Sequence, residues 1–213
     1  MDKNGLNGLV IRATSGFYYI QSGTHVIACK LRGRMKQNRY SVCVGDRVQF
    51  VPTGEAVGAI EQVLPRESFL KRPEVANVNQ AILTFSASHP QIDFGLVDRF
   101  MVLAELSEIP AILCINKIDM ANPDDLQPML EIYRQMGYPV LLVSAKTGQG
   151  VVELQKILYD KVSVFAGPSG VGKSSLLNTI EPGLRLTTGE LSQKIGRGKH
   201  TTRVAELLPL SGG

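Results

Sequence analysis

Two short motifs in this chain occur in the reverse of their usual order. Residues Gly167–Ser174 fit the phosphate-binding pattern G-x-x-x-x-G-K-[ST], and residues Asn116–Asp119 fit N-K-x-D about fifty positions earlier. In an ordinary domain that carries both motifs, the phosphate-binding loop comes first. The reversed order therefore predicts a guanine-nucleotide domain whose chain is circularly permuted.

The length and composition favour a folded protein without membrane spans. A chain of 213 residues suits one large domain or two small ones. Its longest apolar runs, such as 111–115 and 140–143, are much shorter than the roughly 20 residues of a spanning helix. Residues 1–5 lack the basic and apolar pattern of a secretory signal, so we expect a cytoplasmic protein that does not contact a membrane.

The cysteines are three in number, widely spaced, and embedded in apolar segments. This arrangement supports neither a disulfide framework nor a set of metal ligands. We expect buried, reduced thiols at Cys29, Cys43 and Cys114.

The basic residues are concentrated in the first part of the chain. Residues 1–80 contain 11 Lys and Arg against 6 Asp and Glu, whereas residues 81–213 contain 12 against 13. Four of the basic residues alternate, which places them on one side of an extended chain, and a fifth follows closely. Such an edge suits the phosphates of an RNA backbone, although a solvated loop kept charged for solubility is the simpler alternative. The five residues are Lys30, Arg32, Arg34, Lys36 and Arg39.

Five short alternating segments precede residue 65 and are separated by turn residues. They span 8–13, 17–21, 26–31, 47–51 and 56–64. This number of strands predicts a small five-stranded OB-type β-barrel, a fold whose loops commonly bind nucleic acid. Tyr18, Tyr19 and Tyr40 could stack on bases, but each is explained more simply as a barrel core or surface residue.

After a proline-containing, charged stretch, strand and helix patterns alternate. Strands are expected at 80–85, 111–115, 140–143 and 163–166, and helices at 93–107, 124–136, 151–159 and 173–180. A further strand is expected at 204–208. Alternation of this kind predicts an α/β fold with a mostly parallel sheet and helices on both faces. We expect an OB-fold RNA-binding domain at 1–65, a linker at 66–78 and a circularly permuted P-loop GTPase domain at 79–213.

The glycine-rich loop follows a predicted strand and opens a predicted helix, so its backbone N–H groups can surround phosphates. Lys173 would reach the β and γ phosphates and stabilise charge there, and the Ser174 hydroxyl would bind Mg²⁺. The predicted phosphate contacts are Gly167, Pro168, Ser169, Gly170, Val171, Gly172, Lys173, Ser174 and Ser175.

The N-K-x-D motif separates guanine from adenine. A carboxylate at Asp119 can accept from guanine N1–H and N2–H₂, and adenine would leave that carboxylate unpaired. Asn116 would brace the loop, and the Lys117 stem would lie over the base. After the next predicted strand come Ser144, Ala145 and Lys146, an S-A-K sequence whose Ala145 N–H would meet guanine O6.

With these motifs in this order, the chain resembles the circularly permuted, small-ribosomal-subunit-dependent GTPases of bacteria, the RsgA (YjeQ/YloQ) family. The resemblance extends over essentially the whole chain and includes residues 71–78 and the segment 196–203, GRGKHTTR. It implies a late assembly factor that binds GTP or GDP with Mg²⁺, contacts the small subunit and its rRNA, and hydrolyses GTP.

The segment 196–203 matches the switch region of that family, where a threonine binds Mg²⁺ and senses the γ-phosphate. Thr202 or Thr201 is the candidate here. His200 is the candidate for positioning the attacking water, and a solvated or RNA-facing histidine is the alternative. The other two histidines, His25 and His89, are expected to be structural.

The family pattern continues into a D-x-x-G motif and a zinc domain. No D-x-x-G follows the switch segment in these 213 residues, and the zinc ligands of the family have no counterparts, so we expect a truncated chain without zinc and with impaired hydrolysis. We expect a monomeric GTPase that acts in maturation of the small ribosomal subunit. Two alternatives remain: an RNA-binding module that uses its nucleotide site only as a switch, and a P-loop ATPase or kinase.

Overall fold

The computed structural model describes residues 5–14, 16–33, 41–71, 74–186 and 206–210. The chain divides into two compact units. Of the described residues, those up to Val78 and 206–208 belong to the first unit, and 79–186 with 209–210 belong to the second. Within these ranges no helix combines the length and the apolar character that crossing a membrane requires.

The first unit is built on a closed five-stranded barrel, which confirms the prediction from the alternating segments. Its strands are joined in the order β1-β2-β3-β5-β4, and all pairs are antiparallel except β3 with β5. Inward-pointing side chains such as Val10, Ile20, Phe50 and Ile60 are fully buried and form its core. The strands are β1 (Leu6–Thr14), β2 (Phe17–Ser22), β3 (His25–Leu31), β4 (Arg47–Gly54) and β5 (Val57–Val63).

The segment 66–78, expected to be a linker, contains a short hairpin of β6 (Phe69–Lys71) and β7 (Glu74–Ala76). It is fastened to the barrel unit by hydrogen bonds. The Ala76 N–H donates to the Val44 carbonyl (2.9 Å), and Asn77 Nδ2 donates to the Gly45 carbonyl (2.7 Å). These bonds make the hairpin part of the first unit.

A buried carboxylate organises the loop that precedes β4. The Asp46 side chain is 0% exposed and accepts a hydrogen bond from the Cys43 N–H at 2.8 Å. It also accepts two bonds from Arg66, one from Nε at 2.7 Å and one from Nη2 at 2.9 Å. Arg66 Nη2 donates to the Ser41 carbonyl as well, so the pair closes the loop against the start of the hairpin segment.

The second unit contains a four-stranded sheet in the order β10-β9-β8-β11, and every pair in it is parallel. The strands are β8 (Gln80–Ser86), β9 (Ala111–Asn116), β10 (Val140–Leu142) and β11 (Ser163–Ala166). The helices are α1 (Phe94–Leu106), α2 (Gln127–Gln135), α3 (Val151–Leu158) and α4 (Lys173–Ile180). They agree with the predicted alternation of strand and helix.

Helices cover both faces of this sheet, as predicted. On one face, side chains of α3 and α4, such as Leu154 and Leu176, pack with Ile82 and Ile112 of the central strands. On the other face, the Phe100 ring of α1 meets the Phe85 ring edge-on, with centroids 5.9 Å apart. The alternation of β8 side chains between the two faces allows this double packing.

The three cysteines are buried and unpaired, as the sequence predicted. Burial raises the pKa of the Cys114 thiol to about 12, so this sulfur is a poor nucleophile at neutral pH. Cys29, Cys43 and Cys114 therefore serve as small core side chains.

The described part of the expected strand at 204–208 differs from an extended β-strand. Glu206 makes an isolated bridge with Arg12, and the Leu207 N–H donates to the Ile11 carbonyl at 2.8 Å. Leu210 packs against the apolar core of the second unit.

We predict that Asp46→Asn lowers the free energy of unfolding by about 2 kcal/mol, because it leaves the Arg66 charge without its carboxylate. Calorimetry of the whole chain would measure the change. Glu67→Gln is the matched control, since Glu67 pairs with Arg47 at 2.6 Å but the two side chains are 64% and 55% exposed. A surface pair of this kind should contribute no more than about 0.5 kcal/mol, and equal effects of the two substitutions would contradict the prediction.

Candidate nucleotide-binding site

The candidate site lies at the carboxyl edge of the parallel sheet. The loop Gly167–Gly172 connects β11 to α4, and the N-K-x-D residues follow β9 directly. Strands β9 and β10 follow one another on one side of β8, and β11 lies on the other side of β8. Open α/β sheets bind ligands at such a reversal of strand order, outside the carboxyl ends of the strands.

Two glycines permit the close approaches that this loop makes. A Cβ on Gly167 (φ +146°) would lie 2.0 Å from the Thr84 carbonyl oxygen, and one on Gly172 (φ +96°) would lie 2.4 Å from Asn116 Nδ2. No side chain fits at such distances, and positive φ angles add strain for any other residue. The glycines of the motif are therefore required by its path.

Lys173 begins α4 and folds back over the loop. Its Nζ donates to the carbonyls of Gly167 (2.9 Å) and Pro168 (2.7 Å). Burial lowers the pKa of this ammonium, because desolvation disfavours its charged form, and no carboxylate of the described residues forms an ion pair with it. A phosphate group at the loop would supply the missing negative charge. Ser174, the next residue, is buried near the same helix start.

The Asn116 side chain joins all three predicted motifs. Its Nδ2 donates to the Val171 carbonyl of the phosphate loop at 2.9 Å, and its Oδ1 accepts from the Ala145 N–H at 3.1 Å. The residue is 1% exposed, so both bonds are sheltered from water. One amide thus fixes the N-K-x-D, S-A-K and phosphate loops relative to one another.

The Asp119 carboxylate is held in place by Ser144. Ser144 Oγ donates to Asp119 Oδ1 at 2.6 Å, and the hydroxyl in turn accepts from the Thr147 N–H at 3.1 Å. The second oxygen, Oδ2, lies 4.0 Å from the ammonium of Lys146, an 81% exposed side chain. This arrangement orients a carboxylate that is 13% exposed while one of its oxygens lacks a close protein donor among the described residues.

Lys117 connects the N-K-x-D loop to the glycine-rich loop. The residue has a left-handed backbone (φ 64°, ψ 34°), and its Nζ donates to the carbonyls of Gly170 (2.6 Å) and His89. Its stem therefore extends across the region between the two loops, where the sequence predicted that it would cover the base.

Sequence reasoning missed two contributors to the site. His89, which was assigned a structural role, brings its carbonyl to Lys117, and the adjacent Pro90 is the nearest atom group to a Cβ built on Gly170. Thr179 Oγ1 donates to the Ala145 carbonyl at 2.9 Å and supports the S-A-K loop from α4. The only feature of the sequence that could have indicated the role of His89 is its position, since it closely follows β8 at the same edge of the sheet.

The remaining predicted site residues are distributed as follows. Lys30 and Arg32 are exposed at and just beyond the end of β3, and the Arg32 guanidinium pairs with Glu61. Six other predicted site residues lie outside the described residues: Arg34, Lys36, Arg39, His200, Thr201 and Thr202. Tyr40 also lies outside them.

Comparison with known proteins decides the family. The sequence matches the RsgA N-terminal domain over residues 7–60 and the RsgA GTPase over residues 63–213, which is more than half of the chain. The chain belongs to the RsgA GTPase family. The resemblance drawn from the motif order is thereby confirmed.

Curated members of the RsgA family match nearly the whole chain. A protein of Caldanaerobacter subterraneus subsp. tengcongensis is 45% identical over 98% of this chain, which covers 70% of that protein. A protein of Moorella thermoacetica is 48% identical over 98% of this chain, which covers 71% of that protein. Both are named small ribosomal subunit biogenesis GTPase RsgA.

Solved RsgA-family structures share the fold. YjeQ from Thermotoga maritima is 41% identical, with a TM-score of 0.76, and the match covers 86% of this chain and 67% of that one. YloQ, described as a circularly permuted GTPase, is 39% identical, with a TM-score of 0.72 over 85% of this chain and 66% of that one. The predicted permutation is confirmed by this relationship.

We predict that Gly172→Ala weakens guanine-nucleotide binding about tenfold or more, because the new Cβ would displace the Asn116 amide. Titration with a fluorescent GDP analogue would measure the dissociation constant. Gly137→Ala is the matched control, since Gly137 has a similar φ of +92° but nothing lies within 4 Å of its added Cβ. The control should lose about 1 kcal/mol of stability and keep its affinity. Equal affinity in both variants would show that the close approach at Gly172 is unimportant.

Proposed function

We propose that this RsgA-family chain binds GTP and GDP with Mg²⁺ at the carboxyl edge of the second unit's sheet and hydrolyses GTP there. We also propose that it acts in the cytoplasm as a monomer, in maturation of the small ribosomal subunit, and that its barrel contacts rRNA. The observation that carries the proposal is the Asn116 side chain, which bonds to both the phosphate loop and the S-A-K loop. A site assembled in this way reads the base and holds the phosphates as one unit.

Each group around the base has a proposed task. Asp119 Oδ2 accepts from guanine N1–H and N2–H₂, while Ser144 keeps Oδ1 occupied. The Ala145 N–H donates to Asn116 Oδ1 in this structure, so guanine O6 would share that donor. The Lys117 stem lies over the ring.

The phosphates are proposed to lie along the loop Gly167–Ser175 and the amino terminus of α4. Lys173 exchanges its loop carbonyls for the β and γ phosphate oxygens, which stabilises the charge that develops during hydrolysis. The buried Ser174 hydroxyl, a hard oxygen donor, fits Mg²⁺, which binds through few protein ligands and neutralises phosphate charge. Thr202 or Thr201 is proposed as a second ligand, and His200 as the group that positions water.

The barrel is proposed to contact rRNA through its basic edge. Lys30 and Arg32 are the described members of that edge, and both are exposed. Their charges would neutralise phosphates and release counterions, so binding should weaken as salt rises. Arg34, Lys36 and Arg39 are proposed to extend the same surface.

The base assignment predicts a specificity change in Asp119→Asn. The wild-type chain should prefer guanine over adenine nucleotides, and the variant should lose GDP affinity by about 100-fold or more and gain affinity for xanthosine diphosphate. The reason is that asparagine offers a donor where xanthine has a carbonyl. Asp124→Asn, an exposed acid just after the motif, is the control and should leave specificity unchanged. Equal wild-type affinity for ATP and GTP would instead favour a P-loop ATPase or kinase.

The role on the ribosome predicts stimulated turnover. GTP hydrolysis should rise about tenfold or more when purified small subunits are added, because contact with the subunit would place the proposed catalytic groups of the switch segment at the nucleotide. Phosphate release with and without small subunits measures this. Large subunits serve as the control. Turnover that small subunits leave unchanged would favour an RNA-binding module whose nucleotide site acts only as a switch.

A further inference from the structure

The outward face of the barrel carries two aromatic rings framed by two cations. Phe17 and Tyr19 lie two residues apart on β2, so both point away from the core. In the strand register, Tyr19 is opposite Arg12 on β1 and Ala28 on β3, and Phe17 is opposite Thr14 on β1. Lys30 lies two residues beyond Ala28 on β3. Thr14 and Ala28, the other residues that face these two rings in the register, have small side chains. We call this surface the aromatic patch; it comprises Arg12, Thr14, Phe17, Tyr19, Ala28 and Lys30.

Each cation lies on one of the rings. The Arg12 guanidinium carbon is 4.1 Å from the centroid of Tyr19, and Lys30 Nζ is 4.6 Å from the centroid of Phe17. Phe17 is nevertheless 37% exposed, and the Arg12 side chain is 42% exposed. Such pairs contribute only modestly to stability at exposed sites, which leaves the exposed Phe17 ring without a structural reason.

The neighbouring tyrosine shows the contrast. Tyr18 points to the other side of β2 and packs against the barrel core, and burial raises its pKa. Of the three tyrosines that the sequence raised as stacking candidates, Tyr18 is thereby a core residue. Phe17, which the sequence reading passed over, lies on the same outward side of β2 as the half-buried Tyr19.

We propose that the aromatic patch binds unpaired RNA bases, which replace Arg12 and Lys30 over the rings of Tyr19 and Phe17 while the two displaced cations contact the flanking phosphates. The inference rests on the proposed binding of RNA by the barrel and assigns the surface that distinguishes single-stranded from paired RNA. Residues two apart on a strand are about 6.6 Å apart, so two successive bases of an extended strand can each meet one ring. Bases inside a duplex are already stacked and cannot do so.

The charges of the patch are available to phosphates. Among the described residues Lys30 has no ion pair. Arg12 pairs, within the described part of the chain, with Glu206 alone, through a long contact of 3.8 Å between Nη1 and Oε1, and the two side chains are 42% and 48% exposed. A solvent-exposed pair of this kind is weak and gives way readily to a phosphate.

The test compares Phe17→Leu and Tyr19→Leu, which keep an apolar side chain but remove the stacking ring. Anisotropy of a labelled, unpaired RNA of about 12 nucleotides measures the dissociation constant. Each variant should bind about tenfold more weakly than the wild type, while affinity for a duplex of the same length stays unchanged. Tyr159→Leu is the matched control, because Tyr159 is 38% exposed but lies in the second unit.

The salt dependence of binding distinguishes the contribution of the stacking rings from that of the charged side chains. Lys30→Ala should reduce the slope of log affinity against log salt by about 0.7, whereas the two leucine variants should keep the wild-type slope. Tyr19→Phe, which retains the ring, should bind as the wild type does. Ultraviolet crosslinking of RNA to the unaltered chain should also map to the peptide containing Phe17 and Tyr19, and this does not depend on how any variant folds.

The outcomes are distinct. Full affinity in both leucine variants, or crosslinks elsewhere, would overturn the aromatic patch while weakened binding in Lys30→Ala upheld the RNA-binding barrel. If the wild type bound neither RNA, the proposed function of the barrel would itself fail, together with the patch. We expect both leucine variants to lose affinity for the unpaired RNA at an unchanged salt slope, and Lys30→Ala to reduce the slope.

Discussion

The buried Asn116 amide is the interaction on which the nucleotide site depends. Its two polar atoms are satisfied by the Val171 carbonyl and the Ala145 N–H, on opposite sides of the side chain. A buried amide that lost either partner would leave unsatisfied polar groups, so the two loops are held at a fixed separation. Gly172 completes this constraint, since a Cβ there would lie only 2.4 Å from the amide nitrogen. The loops proposed to read the base and to hold the phosphates therefore have a fixed relative position.

This constraint explains why a permuted chain can keep the site. The three loops meet because β8, β9, β10 and β11 are parallel and their carboxyl ends share one edge. Hydrogen bonding between neighbouring strands sets that edge, and the order in which the chain visits the strands does not change it. The reversed motif order changes only which segments the chain joins. The contacts around Asn116 are unaffected, because they are made between loops at this edge of the sheet.

The sequence predicted those parts of the structure that repeat with a clear period or follow a strict pattern. Alternation located the barrel strands, and helix α4 begins at Lys173 and ends at Ile180 as expected. The hairpin at 69–76 was missed because strands of three residues carry no detectable period. Contacts made by backbone carbonyls were missed as well. The bond from Lys117 to the His89 carbonyl depends on where a loop runs, and any residue type can supply a carbonyl.

Arg12 contacts both the aromatic patch and the segment that follows the proposed γ-phosphate sensors. The guanidinium covers the Tyr19 ring and also pairs with Glu206, which follows the proposed γ-phosphate sensors Thr201 and Thr202 by only a few positions in sequence. The adjacent Leu207 N–H bonds to the Ile11 carbonyl on the same strand, β1. If an RNA phosphate takes Arg12, as the aromatic patch requires, the pair with Glu206 is lost and the segment after the sensors keeps one bond fewer. Binding linkage is reciprocal. If a nucleotide favours one arrangement of this segment, it must therefore alter RNA affinity by the same factor by which RNA alters the affinity for that nucleotide.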